Sequence, residues 1–383
     1  MSTAESSQSR IIVEGRANLR FTGADHVFYN PKMSLNRDIG VLLVKSYFDN
    51  RNIMICDPMT ASGVRAIRYL LECSNVEGAT ASDVDPAAVQ FASQMVQLNQ
   101  LSDLVSVVNS NANILLSNNE PRFDFVDLDP FGSPAPFFEN GLRATIDGGI
   151  LAATATDMAP LTGARPIACF RKYGIHPLRT EFGKEVAIRI LMACLSLTSV
   201  RLELGLRLVF SHASDHYARV YVRIMKGRGH ANETIRHLSY VEYCPECLNR
   251  TFRGSIEDLE VECNNCHVNK KIGGPIWSDQ LWDPRLVEKM TSNAGLIISN
   301  RMSEVQNLLS RITDEVEAPA FYYRTDRIAQ KLHMNPPKTA TVVRTLRDKG
   351  YTATLTHFDP NGFRTNAAAR IINSTVSQLT KKA

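Results

Sequence analysis

Nowhere in these 383 residues does an apolar run reach the length a helix needs to cross a bilayer. The opening Met1-Ser2-Thr3-Ala4-Glu5-Ser6-Ser7 also lacks the hydrophobic core of a secretory signal. No membrane association is expected, and the sequence predicts a cytosolic protein with a frayed polar start. Repeats and low-complexity tracts are missing as well, and 44% hydrophobic with 21% charged residues excludes a disordered or fibrous chain. A strong charge of either sign is absent: 43 Lys and Arg face 39 Asp and Glu, a net +4 that by itself names no partner. Also missing is a G-x-G-x-x-G turn. Where a doubly wound sheet binds its nucleotide, the chain reads Asp57-Pro58-Met59-Thr60-Ala61-Ser62-Gly63, with only Gly63 left. Such a turn does not bring backbone against a pyrophosphate, which argues against NAD or ATP.

What is present divides in two, because 383 residues exceed the usual single core. From Ile53 to Thr156 short apolar strands alternate with helical stretches, the rhythm of a parallel sheet covered on both faces. The strands are predicted at Ile53–Asp57, Ala79–Asp83, Val105–Val108, Phe123–Asp129 and Gly149–Thr154. Helices are predicted from Gly63 to Glu72, from Asp85-Pro86 to Leu98, and near Glu181 to Leu195. Two further strands, Gly205–Phe210 and His216–Met225, are joined by only five residues, so they must pair antiparallel. A doubly wound α/β sheet closing on such a hairpin is the Rossmann-like arrangement of class I, S-adenosylmethionine-dependent methyltransferases. Gly227-Arg228-Gly229 reads as the end of this domain, placing it at 1–230 and a smaller α+β domain at 231–383. In the latter, Leu286–Ile312 reads as one long helical stretch. Helix (Thr325–Leu332), turn (Asn335-Pro336-Pro337), helix (Thr339–Lys349) and strand (Tyr351–Leu355) then follow in winged-helix order.

The chemistry gathers at strand ends. S-adenosylmethionine has no phosphate, and a loose turn with the Asp57 carboxylate near the cofactor's amino-acid end suits it. Asp83 sits where an acid accepts from ribose hydroxyls, while its competitor Asp85 reads as a helix cap. Asn111-Ala112-Asn113 follows the third strand and offers an amide to an adenine edge. Asp129-Pro130-Phe131-Gly132 joins an acceptor, a rigid turn and an aromatic face. A base stacked on Phe131 can donate its exocyclic amine to the Asp129 carboxylate and to the carbonyl of Pro130. Phe28 and Tyr29 are candidate second stacking faces. Cys244-x-x-Cys247 and Cys263-x-x-Cys266, fifteen residues apart, have the spacing of a four-cysteine structural zinc site within a segment at 243–267. Residues 318–383 carry eleven Lys and Arg against three Asp and Glu, a net +8 suited to a polyanion. Lys338, Arg344 and Arg347 lie on or beside the second winged-helix helix, where they can meet phosphates. Lys381 and Lys382 read as a disordered end, and no obligate protein partner is expected.

Five separated motifs resemble the tRNA (guanine-26-N2)-dimethyltransferase family: Phe28–Asp38, Thr60–Arg68, Asp127–Pro134, Thr154–Leu161 and Asp215-His216-Tyr217. The resemblance runs from Glu14 to Phe363. It implies transfer of one or two methyl groups from S-adenosylmethionine to guanosine N2 in tRNA. On the matching positions, Arg37 and Arg65 would hold the cofactor, Asp83 its ribose, and Asn111 and Ala112 its adenine side. Asp129 would be the catalytic acid, and Asp157 would face the substrate. Asn111 departs from the family, which often has Asp there. Read without the resemblance, the residues also admit methylation of an amine on another RNA or DNA base, or a non-enzymatic DNA-binding regulator.

Overall fold

Gly63 sets how the first sheet strand turns into its helix. Its φ of +76° lies in the left-handed region, and a Cβ there would sit 3.2 Å from that of Ala92. The single glycine left in the turn is therefore required by conformation and by close packing.

The computed structural model describes residues 10–22, 26–48, 51–117, 122–214 and 216–380. The polar start, Asp215 and Lys381-Lys382 lie outside them. Two compact units emerge: Met1–Pro130, Phe137–Ala153 and Glu288–Leu309 form the first, and Phe131–Pro136, Thr154–Val287 and Ser310–Ala383 the second.

In chain order, β1 (Arg10–Glu14) and β2 (Ala17–Phe21) form an antiparallel hairpin that no sequence signal announced. Next come α1 (Ser34–Tyr47), β3 (Ile53–Asp57), α2 (Val64–Glu72), β4 (Val76–Asp83) and α3 (Pro86–Leu98). They are followed by β5 (Val105–Asn109), α4 (Ala112–Leu116), β6 (Phe123–Leu128), α5 (Phe138–Ala144) and β7 (Thr145–Ala155). Asp85 caps α3 as expected, its Oδ1 accepting from Ala87 N at 2.9 Å, with Pro86 at the first helical position. Strands β3, β4, β5, β6 and β7 run parallel, and Ile55, Phe125, Val126, Ile150 and Leu151 are fully buried among them. Burial on both faces explains why these strands read as continuous apolar runs.

The chain continues with α6 (Met158–Leu161), α7 (Pro166–Tyr173) and α8 (Gly183–Val200). Then β8 (Leu204–Ala213) and β9 (Ala218–Lys226) pair antiparallel. The seven strands have the order β5-β4-β3-β6-β7-β9-β8. The parallel run with an antiparallel finish is the methyltransferase arrangement the sequence predicts. Gly227, with φ of +121°, leads from β9 into a further helix, α9 (Arg228–Arg236).

A second sheet of β10 (Leu238–Tyr243), β11 (Arg250–Arg253) and β12 (Lys271–Trp277) carries the cysteine segment. The expected single helix over 286–312 is two, α10 (Pro284–Asn293) and α11 (Met302–Glu315); between them Ser299 takes Arg301 N on its hydroxyl at 2.9 Å, a local bond that competes with helix, and Arg301 O accepts the first bonds of α11. After them, β13 (Tyr323–Arg324), α12 (Thr325–Lys331), α13 (Thr339–Asp348), β14 (Ala353–Leu355) and β15 (Gly362–Thr365) complete a winged-helix order, and α14 (Ala369–Thr380) follows. Buried charges tie this segment to α8. Arg364 lies 2.9 Å from Glu185 and 2.6 Å from Glu315. Burial pushes the Glu315 carboxyl up, but His357, Arg364 and hydrogen bonds from His357 and Thr356 outweigh it and hold it near 2.

Candidate active site

The strand ends of the first unit bring together most of the expected residues. Asp57 ends β3, buried, and its Oδ2 accepts from Thr60 Oγ1 at 2.8 Å. Burial raises its pKa to about 7, further raised by Asp127 and Asp129 and opposed by Arg65 and Thr60. The folded chain thus retains a proton that the unfolded chain has lost, and stability falls as pH rises from about 4 through about 7. Asp57→Asn should flatten this slope; thermal midpoints of both proteins between pH 4 and 8 check it, and parallel curves would refute it.

Asp83 ends β4 with both oxygens steadied by backbone: Ala61 N donates to Oδ2 at 2.9 Å and Asp85 N to Oδ1 at 3.0 Å. Asn111 is turned to its own helix, its Oδ1 taking Asn113 N at 2.9 Å as the cap of α4, and Ala112 is buried behind it. Across this end of the sheet, Arg65 on α2 gathers what β6 presents. Its guanidinium lies 3.2 Å from Asp127, donates to Asn36 Oδ1 at 3.1 Å, and grips Asp129 Oδ2. Asp129 Oδ1 has no hydrogen bond among the described residues, and the side chain keeps 20% of its surface exposed. One oxygen is held and the other faces outward. Arg37 is buried, with Nε and Nη2 on Glu14 at 2.6 Å each and Nη2 also on Asn30 O at 3.0 Å. Among the described residues its Nη1 has no hydrogen-bond partner.

In the second unit, Phe131 is 77% exposed. Gly132 after it has φ +79°, and its N–H and C=O are both taken by Thr156, at 2.8 and 2.9 Å. Next to Thr156, Asp157 accepts from Lys172 Nζ at 2.8 Å and Tyr173 OH at 2.5 Å. Phe28 is exposed and so not the core aromatic its hydrophobicity would suggest. Lys338 and Arg344 are exposed on α13 and its cap, while Arg347 sends Nε to Ala353 O at 2.6 Å.

The cysteines sit on two matching knuckles. Leu248 and His267, each four residues past a first cysteine, have φ of +62° and +59°, and each returns its N–H to that cysteine's carbonyl, at 3.0 and 2.8 Å. The four Sγ atoms lie within 4.8 Å of one another, with 3.4 Å between Cys244 and Cys266 and 3.5 Å between Cys247 and Cys263. A tetrahedron with metal–sulfur bonds of about 2.3 Å has edges of about 3.8 Å, so the set fits zinc. His267 is occupied with Glu262 at 2.6 Å and stands aside. Chelation should lower the thermal midpoint and expose four more thiols to a reporter; protein that is metal-free as purified, with those thiols already reactive, would rule zinc out.

Comparison with known proteins converges on one answer. The model of the N2,N2-dimethylguanosine tRNA methyltransferase family matches residues 7–377. The chain belongs to that family. A tRNA (guanine(26)-N(2))-dimethyltransferase of Methanosphaera stadtmanae is 35% identical over 343 residues, covering 89% of this chain and 88% of that protein. A tRNA (guanine(26)-N(2)/guanine(27)-N(2))-dimethyltransferase of Aquifex aeolicus is 33% identical over 92% of this chain and 90% of that one. The structure of Trm1 from Pyrococcus horikoshii with S-adenosyl-L-methionine matches with a TM-score of 0.87 at 32% identity, over 96% of this chain and 99% of that chain. In this tRNA methyltransferase, sequence reasoning gave no role to three residues near Asp129. Asn36 is buried with Nδ2 unpartnered among the described residues; Asp127 shares Arg65 with Asp129; and Thr60 fixes Asp57. The helix start Ser34-Leu35-Asn36-Arg37-Asp38 is polar and gave no signal for the first.

Proposed function

We propose that this enzyme transfers one or two methyl groups from S-adenosylmethionine to the exocyclic N2 of guanosine 26 in tRNA. The observation that carries the reading is Asp129, with Oδ2 clamped by Arg65 and Oδ1 open, followed directly by Pro130 and the exposed ring of Phe131.

When bound, S-adenosylmethionine supplies an electrophilic sulfonium methyl. Asp83 would accept from its ribose hydroxyls, Asn111 and Ala112 would border its adenine, and Asp57 with Arg37 Nη1 would hold its amino-acid end. Arg65 orients Asp129. The unpartnered Asn36 Nδ2 is a donor in want of an acceptor, which favours a polar ligand here. Guanine N2 is a weak nucleophile because its lone pair is delocalised into the ring, so alignment supplies most of the acceleration. Asp129 Oδ1 and the Pro130 carbonyl accept the two N–H bonds and turn the amine toward the methyl. As the N–C bond forms and the methyl–sulfur bond would break, leaving a neutral thioether, Asp129 takes the proton N2 releases and returns it to water. A paired guanine cannot reach these groups, so it is turned out of its stack at a cost of roughly a few kcal/mol. Stacking on Phe131 returns about 1–3 kcal/mol. Asp157 positions the substrate beyond Phe131.

Residues 231–383 are proposed as the tRNA-binding domain, with Lys338, Arg344 and Arg347 on phosphates and zinc stiffening its 243–267 segment. Among the described residues no helix is long and apolar enough to cross a membrane. The cytosol, where tRNA is met and thiols stay reduced, is the proposed compartment. Incubation with labelled S-adenosylmethionine and unmodified tRNA transcripts tests the reading. N2-methylated guanosine should form on the native transcript and vanish when guanine 26 is replaced; label that persists on the replaced transcript moves the target elsewhere.

A further inference from the structure

Helix α7 presents a face that the reading above does not use. Cys169 and Tyr173, four residues apart, point inward and are buried. At about 100° per residue, Ile167, Phe170 and Arg171 share an arc of about 100° on the opposite side. All three are exposed, Ile167 by 84% and Phe170 by 51%. Exposed large apolar groups on a short helix ask for an occupant.

Charge says which one. From Met158 to Thr180 the chain holds Arg165, Arg171, Lys172 and Arg179 and no acid. Lys172 is engaged by Asp157, but Arg165, Arg171 and Arg179 are exposed, and none has a side-chain ion pair or hydrogen bond among the described residues. The phenyl ring of Phe170 stacks on His176, with centroids 4.5 Å apart and planes 21° from parallel. His176 is itself pinned, pairing with Gly274 through backbone bonds of 2.8 and 3.4 Å. A rigid π surface among unpaired guanidinium groups matches a nucleic-acid strand with its phosphates and unstacked bases.

The inner side of α7 leads back to the methylation motif. Tyr173 and Lys172 hold Asp157, its neighbour Thr156 holds Gly132, and Gly132 follows Phe131. We propose that the outer face of α7 receives the RNA strand flanking the extruded guanosine, one unstacked base lying on Phe170 and phosphates meeting Arg165, Arg171 and Arg179. The assignment rests on the tRNA-methylating function above and adds a contact surface to it.

The test compares full-length wild type with Phe170→Ala, Phe170→Trp and the double variant Arg165→Gln/Arg171→Gln. tRNA affinity is read by filter binding over a salt series, and S-adenosylmethionine affinity and thermal midpoints are read alongside. Loss of one stacked base should weaken tRNA binding of Phe170→Ala by about tenfold, and Phe170→Trp should restore it. The double variant should lose about two units of the log–log salt slope, one per phosphate contact. Cofactor affinity and thermal midpoint should hold in every variant. Unchanged tRNA affinity and salt slope in an active wild-type background overturn the α7 assignment alone. A wild type that binds tRNA through this face but makes no N2-methylguanosine overturns the proposed reaction instead.

Discussion

Asp129→Ala is expected to slow methyl transfer by about 10²–10⁴-fold while the protein stays folded. The loss follows from geometry. Only Oδ1 is open to the amine, so truncation removes both the acceptor that aims N2 and the base that takes its proton. The fold should persist because Arg65 retains Asp127 at 3.2 Å and Asn36 at 3.1 Å, leaving its buried charge partnered. Asp129→Asn divides the two roles: its amide oxygen can still orient the amine but takes no proton. Single-turnover rates with saturating S-adenosylmethionine, beside thermal midpoints, would show this. Turnover preserved in the alanine variant would remove Asp129 from the chemistry.

The second large effect is structural and lies at Arg68. Its side chain is fully buried on α2, where it meets Glu14 at 3.0 Å, Asp38 at 2.7 Å and Glu72 at 2.7 Å. Glu14 is shared with Arg37, whose charge with that of Arg68 overcomes the upward push of burial and holds the carboxyl near 2. Arg68→Leu keeps the apolar bulk but takes their cation from Asp38 and Glu72 out of water, while Glu14 keeps only Arg37. A loss of about 3–5 kcal/mol is expected, the cost of removing one partner from a buried ion pair. Arg68→Lys, which keeps the charge without the planar fork, should fall between. Urea unfolding of the three proteins would measure it, and an Arg68→Leu midpoint equal to wild type would mean the carboxylates find other relief.

Much of the fold was legible because local chemistry and global topology agree in the sheet. Strands buried on both faces leave unbroken apolar runs, Asp85-Pro86 announces a capped helix, and β8 and β9 are too closely linked to run parallel. The cysteine spacing was equally plain, since both knuckles are built within five residues. Along 286–312 the reading failed: the apolar run Leu296-Ile297-Ile298 carries hydrophobicity across a break that Asn293, Gly295 and Ser299-Asn300 mark. At the candidate site, Asp57, Asp83 and Asp129 could be located because strand ends are where such ligands bind. Their supports could not. Glu14, Arg37 and Arg68 come together across separations of 23 and 54 residues, and a pairing of that length leaves no mark on local pattern.

The Arg68 cluster has a consequence for the order in which the chain is made. Glu14, Arg37, Asp38, Arg68 and Glu72 all leave the ribosome early relative to two closing contacts, 230 and 261 residues downstream: Ile298 O on Arg68 at 3.4 Å and Ser299 Oγ on Asp38 at 2.6 Å. The segment translated first therefore waits, its charged centre unsealed, until Ile298 and Ser299 emerge.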